Sequence, residues 1–181
     1  ESILPLFKSY PKVDLEFRTK SVQLEPLKSG LPIANCIVAF SLMPEELAKR
    51  LDKKAPSIKR RVDAIEKLAA MGWPIGLRFD PLIYSKDWKQ LYKGLLMDIM
   101  RRVPSESIHS ISYGPLRYPK KMYQDITKLY PEELLFSIPM SENNGYIDYG
   151  VDVEQEMTEF LINNLKNYVE EAKLFQCVVQ A

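Results

Sequence analysis

Period-two alternation of apolar and polar residues predicts several short β-strands in this chain. Residues 13–20 alternate, whereas residues 33–42 and 74–80 are more apolar, as buried strands are. Two further strands are predicted at residues 107–114 and 174–180. In the longer segments between these stretches, the apolar residues have a different spacing.

Apolar residues three and four positions apart predict five helices in those segments. One short helix begins at Pro44. The other four run from Ser57 to Gly72, from Ser85 to about residue 103, from Pro119 to about residue 130, and from about residue 151 to 172. Ser57 and Ser85 are the expected N-caps, and Gly72 is the expected C-terminal stop. Residues 131–150 are rich in Pro, Ser, Asn and Gly and are expected to be irregular.

Strands that alternate with helices indicate a parallel sheet, whose chemistry lies at the carboxyl ends of the strands. The third strand has two different faces, in which Ile75, Leu77 and Phe79 alternate with Gly76, Arg78 and Asp80. We expect the apolar face to lie under the helices. The charged face should share its side of the sheet with Lys20 and Ser41, because a sheet covered by helices on both faces would not accommodate it.

The predicted fold class is therefore α/β, a partial (β/α) barrel with parallel strands, outer helices and a C-terminal helical tail. Residues 1–130 form the barrel part in this prediction. Residues 131–181 form an extension with a loop, a long helix and a final strand.

Composition narrows the functional classes only slightly. Lys and Arg number 25 against 24 Asp and Glu, so a strongly basic nucleic-acid binder has no support, while a small basic groove remains open. The sequence has no apolar run long enough for a membrane span, and Cys36 and Cys177 make neither a disulfide framework nor a metal motif. With a single histidine, His109, a histidine-based metal site has no support. We expect a cytoplasmic protein without membrane association.

A set of short motifs lies at or near the predicted strand ends. They are Ser41-Leu42-Met43-Pro44, Arg61 and Ala64 in the next helix, Met71-Gly72-Trp73, Asp80-Pro81, Trp88 and Tyr92 in a helix, and Gly114, Arg117 and Tyr118. As a group, these motifs resemble the C-terminal half of the spore photoproduct lyase-like radical SAM proteins. The resemblance extends over about residues 13–149.

That resemblance implies a partial (β/α)6 barrel, S-adenosylmethionine and a [4Fe–4S] cluster held by three cysteines spaced C-x3-C-x2-C. It implies reductive formation of a 5′-deoxyadenosyl radical that abstracts a substrate hydrogen; the family's lyase acts on a methylene-bridged thymine dimer in DNA. It further implies that Lys20 and Ser41 contact S-adenosylmethionine. Asp80 would lie near that ligand, where the lyase has Ala.

This sequence departs from the family pattern at two places. The cysteine triplet is absent, so the resemblance implies that the chain is part of a longer protein whose N-terminal half would be its partner and would carry the cluster. The family's Arg-Tyr-Gly stretch, followed by a Lys, is represented by Asp148-Tyr149-Gly150 and Val153. An acid in that stretch would repel DNA phosphate.

Four further residues are candidates for substrate contact, namely Arg78, Arg117, Tyr146 and Tyr149. Each has a structural alternative: Arg78 and Asp80 could be an internal ion pair, Arg117 a helix cap or surface residue, and the two tyrosines packing residues. The basic run from Lys49 to Arg61 could be a solvated helix face or could meet phosphate.

Three functions remain open from the sequence. The chain could belong to a radical SAM enzyme acting on an unknown substrate, with nucleic acid as a candidate. It could be an unrelated barrel enzyme in which Lys20 forms a Schiff base. It could also be a non-catalytic fragment or binding module, which would keep the fold and show no cofactor affinity.

Overall fold

A five-stranded parallel sheet forms the centre of the computed structural model, which describes residues 4–28 and 30–177. Its strands, in spatial order, are β1 (Leu15–Thr19), β2 (Cys36–Ser41), β3 (Ile75–Leu82), β4 (Ile108–Pro115) and β8 (Leu174–Gln176). A small antiparallel sheet has the order β5 (Arg117–Pro119), β7 (Tyr146–Asp148) and β6 (Ser141–Asn143). The large sheet is open, with β1 and β8 at its edges, so the predicted α/β class with parallel strands and outer helices is confirmed.

Helices precede or connect the parallel strands. They are α1 (Leu4–Phe7), α2 (Glu25–Lys28), α3 (Glu45–Leu51), α4 (Ile58–Ala70), α5 (Trp88–Arg102), α6 (Lys120–Leu129) and α7 (Val151–Leu165). Short 3-10 turns lie at Ser105–Ser107, Leu134–Ser137 and Glu171–Lys173. In the described part of the chain, none of the helices combines the length and the apolar character needed to span a bilayer.

Helix α4 has the boundaries that its sequence predicts. The Ser57 side chain accepts a hydrogen bond from the backbone N–H of Arg60, which satisfies one of the free donors of the first turn. At the other end Gly72 adopts φ +88°, a left-handed conformation that glycine reaches without steric cost.

The predicted start of α5 is wrong. Helix α5 begins at Trp88 with Asp87 as its N-cap residue, and Ser85 makes no side-chain cap. Ser85 lies in a turn before the helix, where its carbonyl oxygen accepts from the backbone N–H of Trp88.

The expectation of irregular structure for residues 131–150 is also wrong in part. Strands β6 and β7 form a hairpin whose turn carries Asn144 at φ 47° and Gly145 at φ 80°, and β7 pairs with β5. The last long helix ends at Leu165 instead of residue 172. Of the predicted closing strand, Leu174–Gln176 is a strand, and residues 178–180 lie outside the described residues.

Strands from both sides of the predicted boundary at residue 130 are hydrogen-bonded to each other. Strand β8 joins the main sheet beside β4, and β7 joins β5. The two-part division of the chain stays a prediction.

The two faces of β3 point as the sequence predicts. Ile75, Leu77 and Phe79 have no exposed surface and belong to the core under the helices. Arg78 and Asp80 lie on the other face, in contact with polar side chains of β1 and β4. This second face is called the polar face below.

Candidate functional site

Lys20 and Ser41 lie beside each other at the carboxyl ends of neighbouring strands. Thr19 of β1 pairs with Phe40 of β2, so Lys20 and Ser41, which follow these two residues, lie level with each other. Asp52, just after α3, accepts from the Lys20 ammonium at 2.5 Å. The same carboxylate accepts from Arg61 at 2.8 Å, and Arg61 also donates to the Ser41 carbonyl oxygen at 2.9 Å. A continuous set of polar contacts therefore joins the two predicted cofactor residues.

The charge state of Asp52 follows from these contacts. Its side chain is only 9% exposed, and burial alone would raise its pKa. The hydrogen bonds from Lys20 and Arg61 outweigh that effect and lower the pKa of Asp52 below its ordinary value of 3.8. Arg61 is fully buried, so Asp52 compensates a charge that would otherwise be costly inside the protein.

Asp80, the third predicted cofactor residue, has partners on β1, on β4 and directly after β8. Its carboxylate forms an ion pair with Arg18 of β1, accepts from the Ser112 hydroxyl of β4 at 2.6 Å, and accepts from the Cys177 thiol at 2.9 Å. Arg18 also donates to the backbone oxygen of Asp80 at 3.1 Å. In this arrangement Asp80 ties β1, β4 and the end of β8 together.

Arg78 is 3% exposed and fills the interior of the polar face. Its guanidinium donates to both carboxylate oxygens of Glu16, at 3.1 and 2.6 Å, and to the Ser110 hydroxyl at 2.9 Å. The hydrogen bond from Arg78 is the main cause that lowers the pKa of Glu16. Arg78 thus pairs with Glu16, and the alternative of an Arg78–Asp80 pair is wrong, because Asp80 pairs with Arg18.

The other candidate residues have structural contacts. Arg117 donates to the Cys177 carbonyl oxygen at 2.5 Å. Tyr149 is 6% exposed, and its hydroxyl accepts from the backbone N–H of Tyr84, whose ring lies 5.9 Å from its own. Tyr146 is half-buried in β7. Substrate contact by these residues stays a prediction.

The side chains around Lys20, Ser41 and Asp80 are called the strand-end site below. Three residues of this site were not among the sequence-based candidates. Arg18, Ser112 and Cys177 contact Asp80, and Arg18 also donates to the Ser41 hydroxyl at 3.4 Å. Period two could have indicated Arg18 and Ser112, since each lies an even number of residues from another polar-face residue of its strand. Cys177 could not be identified in this way, because no sequence pattern shows which strand β8 pairs with.

The side chains present do not fit a [4Fe–4S] cluster. Cys36 is fully buried on the helix-facing side of β2, and the Cys177 thiol binds Asp80. Among residues 4–28 and 30–177, no three His, Cys, Asp or Glu side chains form a group suited to a metal ion. Such a cluster needs cysteine thiolates as ligands, so the described residues cannot supply its usual coordination.

Comparisons with known proteins point to one family. The family model for spore photoproduct lyase matches residues 3–175. Spore photoproduct lyase of Bacillus subtilis is 22% identical over 169 residues, covering 88% of this chain and 49% of that protein. The protein of the same name from Clostridium acetobutylicum is 23% identical over 170 residues, covering 87% of this chain and 49% of its own length.

Solved structures give the same picture at the level of the fold. A spore photoproduct lyase double mutant with bound AdoMet and dinucleoside spore photoproduct matches with a TM-score of 0.72 and 16% identity. The match covers 92% of this chain and 51% of that one. A spore photoproduct lyase complexed with dinucleoside spore photoproduct matches with a TM-score of 0.71 and 16% identity, covering 90% of this chain and 50% of that one.

The chain spans about half the length of the curated relatives it matches. The family match nevertheless extends over nearly the whole of this sequence. The chain therefore belongs to the spore photoproduct lyase family.

Proposed function

We propose that this chain is the C-terminal part of a radical SAM enzyme and helps to bind S-adenosylmethionine with Lys20 and Ser41. The observation that carries the proposal is the position of these two residues at level ends of β1 and β2, joined through Asp52 and Arg61. Family membership supports it further.

The donors at these positions suit the cofactor. An ammonium has three N–H donors, and Asp52 takes one from Lys20. Ser41 accepts from Arg18, which leaves its own hydroxyl hydrogen for another partner. These groups can donate to the carboxylate and hydroxyl oxygens of S-adenosylmethionine. The bound cofactor would supply hydrogen abstraction, with a cluster held by cysteines outside this chain.

Asp80 has a supporting part in this proposal. Its ion pair with Arg18 fixes the guanidinium that also reaches Ser41. Asp80 would therefore orient the Ser41 hydroxyl through Arg18, in addition to any contact of its own with the cofactor.

Nucleic acid is the substrate class that we propose for the longer protein. The solved relatives contain dinucleoside spore photoproduct, which is the basis for this part of the proposal. The acid that departs from the family pattern, Asp148, is 9% exposed and accepts from the backbone N–H of Gly150 at 2.9 Å. Asp148 is thus held by contacts within its own chain.

The test uses the protein extended upstream to include C-x3-C-x2-C, reconstituted anaerobically with iron and sulfide. Its affinity for S-adenosylmethionine is compared among the parent, Lys20→Ala and Ser41→Ala. Each variant should lose about 1–3 kcal/mol of binding free energy, the cost of a lost buried hydrogen bond. The exposed Lys121→Ala and Ser137→Ala are the matched controls. Equal affinity in all five proteins would reject the assignment.

A Schiff-base role for Lys20 receives no support from the structure. The neutral amine is the nucleophile in that chemistry, whereas the Lys20 ammonium is paired with Asp52. Borohydride should therefore trap no adduct between Lys20 and an added aldehyde, as measured by peptide mass spectrometry.

A further inference from the structure

A cavity of about 620 Å³ opens beside Lys20, between the end of α3 and the segment that follows β4. This cavity is called the loop pocket below. One wall carries Arg50, Lys53 and Lys54; the other carries side chains of β5, α6 and the turn at Leu134–Ser137. Lys20 and Asp52 connect the loop pocket to the strand-end site described above.

The charges of the loop pocket are not balanced. Four cations face two carboxylates, Asp52 and Glu133. Asp52 is bound by Lys20 and Arg61, and Glu133 by Arg50 at 2.8 Å. In the described part of the chain, Lys54 has no ion pair. Burial raises the pKa of Glu133, and the hydrogen bonds from Leu135 and Arg50 lower it below its ordinary value. Lys53 adds only a smaller through-space attraction that also lowers this pKa. Two lysines are therefore available to an anion at the rim.

The opposite wall is aromatic. Tyr118, Tyr130 and Phe136 line it, and the Tyr130 side chain is 62% exposed. The rings of Tyr118 and Phe136 contact each other, with centroids 6.2 Å apart, so they form a continuous aromatic surface. Helix α6 has no fully buried residue, although its apolar side chains lie on one side. Water covers that apolar surface at a cost in free energy, which a planar ligand would reduce.

We propose that the loop pocket binds a nucleotide, with its base stacked on Tyr130 and its phosphate held by Lys53 and Lys54. Base–aromatic stacking combined with lysine–phosphate contacts is the physical basis of single-strand binding in general. The ligand can be a free nucleotide or one nucleotide of a strand, since both carry the same ring and phosphate. The inference rests on the proposed function for its setting beside Lys20, but it needs neither cofactor nor turnover.

The test measures binding by the chain of 181 residues at low salt, using three fluorescent probes. The probes are a thymidine mononucleotide, a single-stranded thymidine octamer, and an octamer of the same length with abasic sites. The Tyr130→Ala variant should bind the thymidine octamer about tenfold more weakly, the size of one base–aromatic stack, and should bind the abasic octamer unchanged. The exposed Tyr168→Ala is its control.

The double variant Lys53→Ala/Lys54→Ala should weaken binding of both octamers. The slope of log affinity against log salt should fall by about 1.4, the value for two single-strand phosphate contacts. Lys86→Ala/Lys93→Ala, which removes two exposed lysines elsewhere, is the matched control. Circular dichroism of each variant, compared with that of the parent, is the control for folding.

The two sources of the ligand separate in this experiment. Mononucleotide binding that is weakened by both pocket variants identifies a free nucleotide; binding of the octamer alone identifies a strand, and either result supports the site. The proposal is overturned if no probe binds, if the abasic octamer binds as tightly as the thymidine octamer, or if control and pocket variants behave alike. Loss of cofactor binding in the longer protein would reject the proposed function and leave these results unaffected.

Discussion

At the scale of single residues, the polar face of the sheet is tightly filled. A Cβ atom at Gly76 would lie 2.7 Å from the Ala39 Cβ and 2.8 Å from the Arg78 guanidinium. The Arg78 side chain therefore lies across the backbone at Gly76, on its way to Glu16 and Ser110. The absence of a side chain at residue 76 allows this buried arginine to reach its partners.

We expect Gly76→Ala to lower the free energy of unfolding by about 1–3 kcal/mol, because the added methyl group displaces Ala39 or Arg78. Gly94→Ala is the matched control. Gly94 lies within α5 with no atom within 4 Å of an added Cβ, so the same change there should stabilise the protein by about 0.5–1 kcal/mol. Urea denaturation measures both values. Equal effects of the two substitutions would contradict the close packing at Gly76.

Asp52 should make the stability of the protein depend on acid pH. Its folded-state pKa lies below the ordinary value of 3.8, so its stabilising contribution is complete above pH 3.8 and is lost as the pH falls through the folded-state pKa. The variant Asp52→Asn should be less stable at neutral pH and should lose less stability on acidification. Thermal unfolding between about pH 2 and pH 6 tests this. The exposed Asp125→Asn should retain the parent's pH dependence, and a parental profile for Asp52→Asn would contradict the prediction.

At the scale of elements, local signals located most strands and helices but not their partners. Helix α4 could be predicted because Ser57 stands directly before a periodic apolar run. The β6–β7 hairpin was missed because its Asn144-Gly145 turn lacks flanking alternating hydrophobic residues, which complete the usual hairpin signal. The Lys20–Asp52 pair joins residues 32 positions apart, and no local pattern specifies such a contact.

Helix α7 should be part of the same cooperative unit as the sheet. Leu161 on α7 is 1% exposed, and Phe160 packs edge-on against Trp88 of α5, with ring centroids 5.0 Å apart. Leu161→Ala should cost about 2–5 kcal/mol and shift one single transition. Tryptophan fluorescence and far-ultraviolet circular dichroism, recorded in the same urea series, measure it.

The control for this helix is Val151→Ala, at a residue that is 71% exposed, which should change stability by less than about 0.5 kcal/mol. Separate transitions for the two probes would instead favour the division of the chain near residue 130, with the C-terminal extension unfolding by itself.

At the scale of the whole molecule, the sheet is completed by a distant segment. Strand β8 pairs with β4, and the residue after it, Cys177, donates its backbone N–H to the Tyr113 carbonyl oxygen at 2.7 Å and accepts from Arg117. Phe175 also lies over the buried Arg78, 5.9 Å from the guanidinium carbon to the ring centroid. The polar face therefore depends on β8 as well as on β1 to β4.

Removal of residues 174–181 should destabilise the whole protein. Several hydrogen bonds to β4, Arg117 and Asp80 are lost, each contributing about 0.5–1.5 kcal/mol. Removal of residues 178–181 alone is the control and keeps β8. Comparison of the two shortened proteins by urea denaturation checks the prediction. If both lose the same stability, the pairing of β8 is not the cause.

Strand β8 also sets the order in which the protein can fold on the ribosome. Strand β4 ends at Pro115 and its partner begins at Leu174, so β4 is synthesised well before the segment that covers its outer edge. During that interval the nascent chain carries a sheet edge with free N–H and C=O groups, which can pair with a neighbouring chain. A pause in translation between these two strands would lengthen that exposure, and chaperone capture of the nascent chain would matter most there.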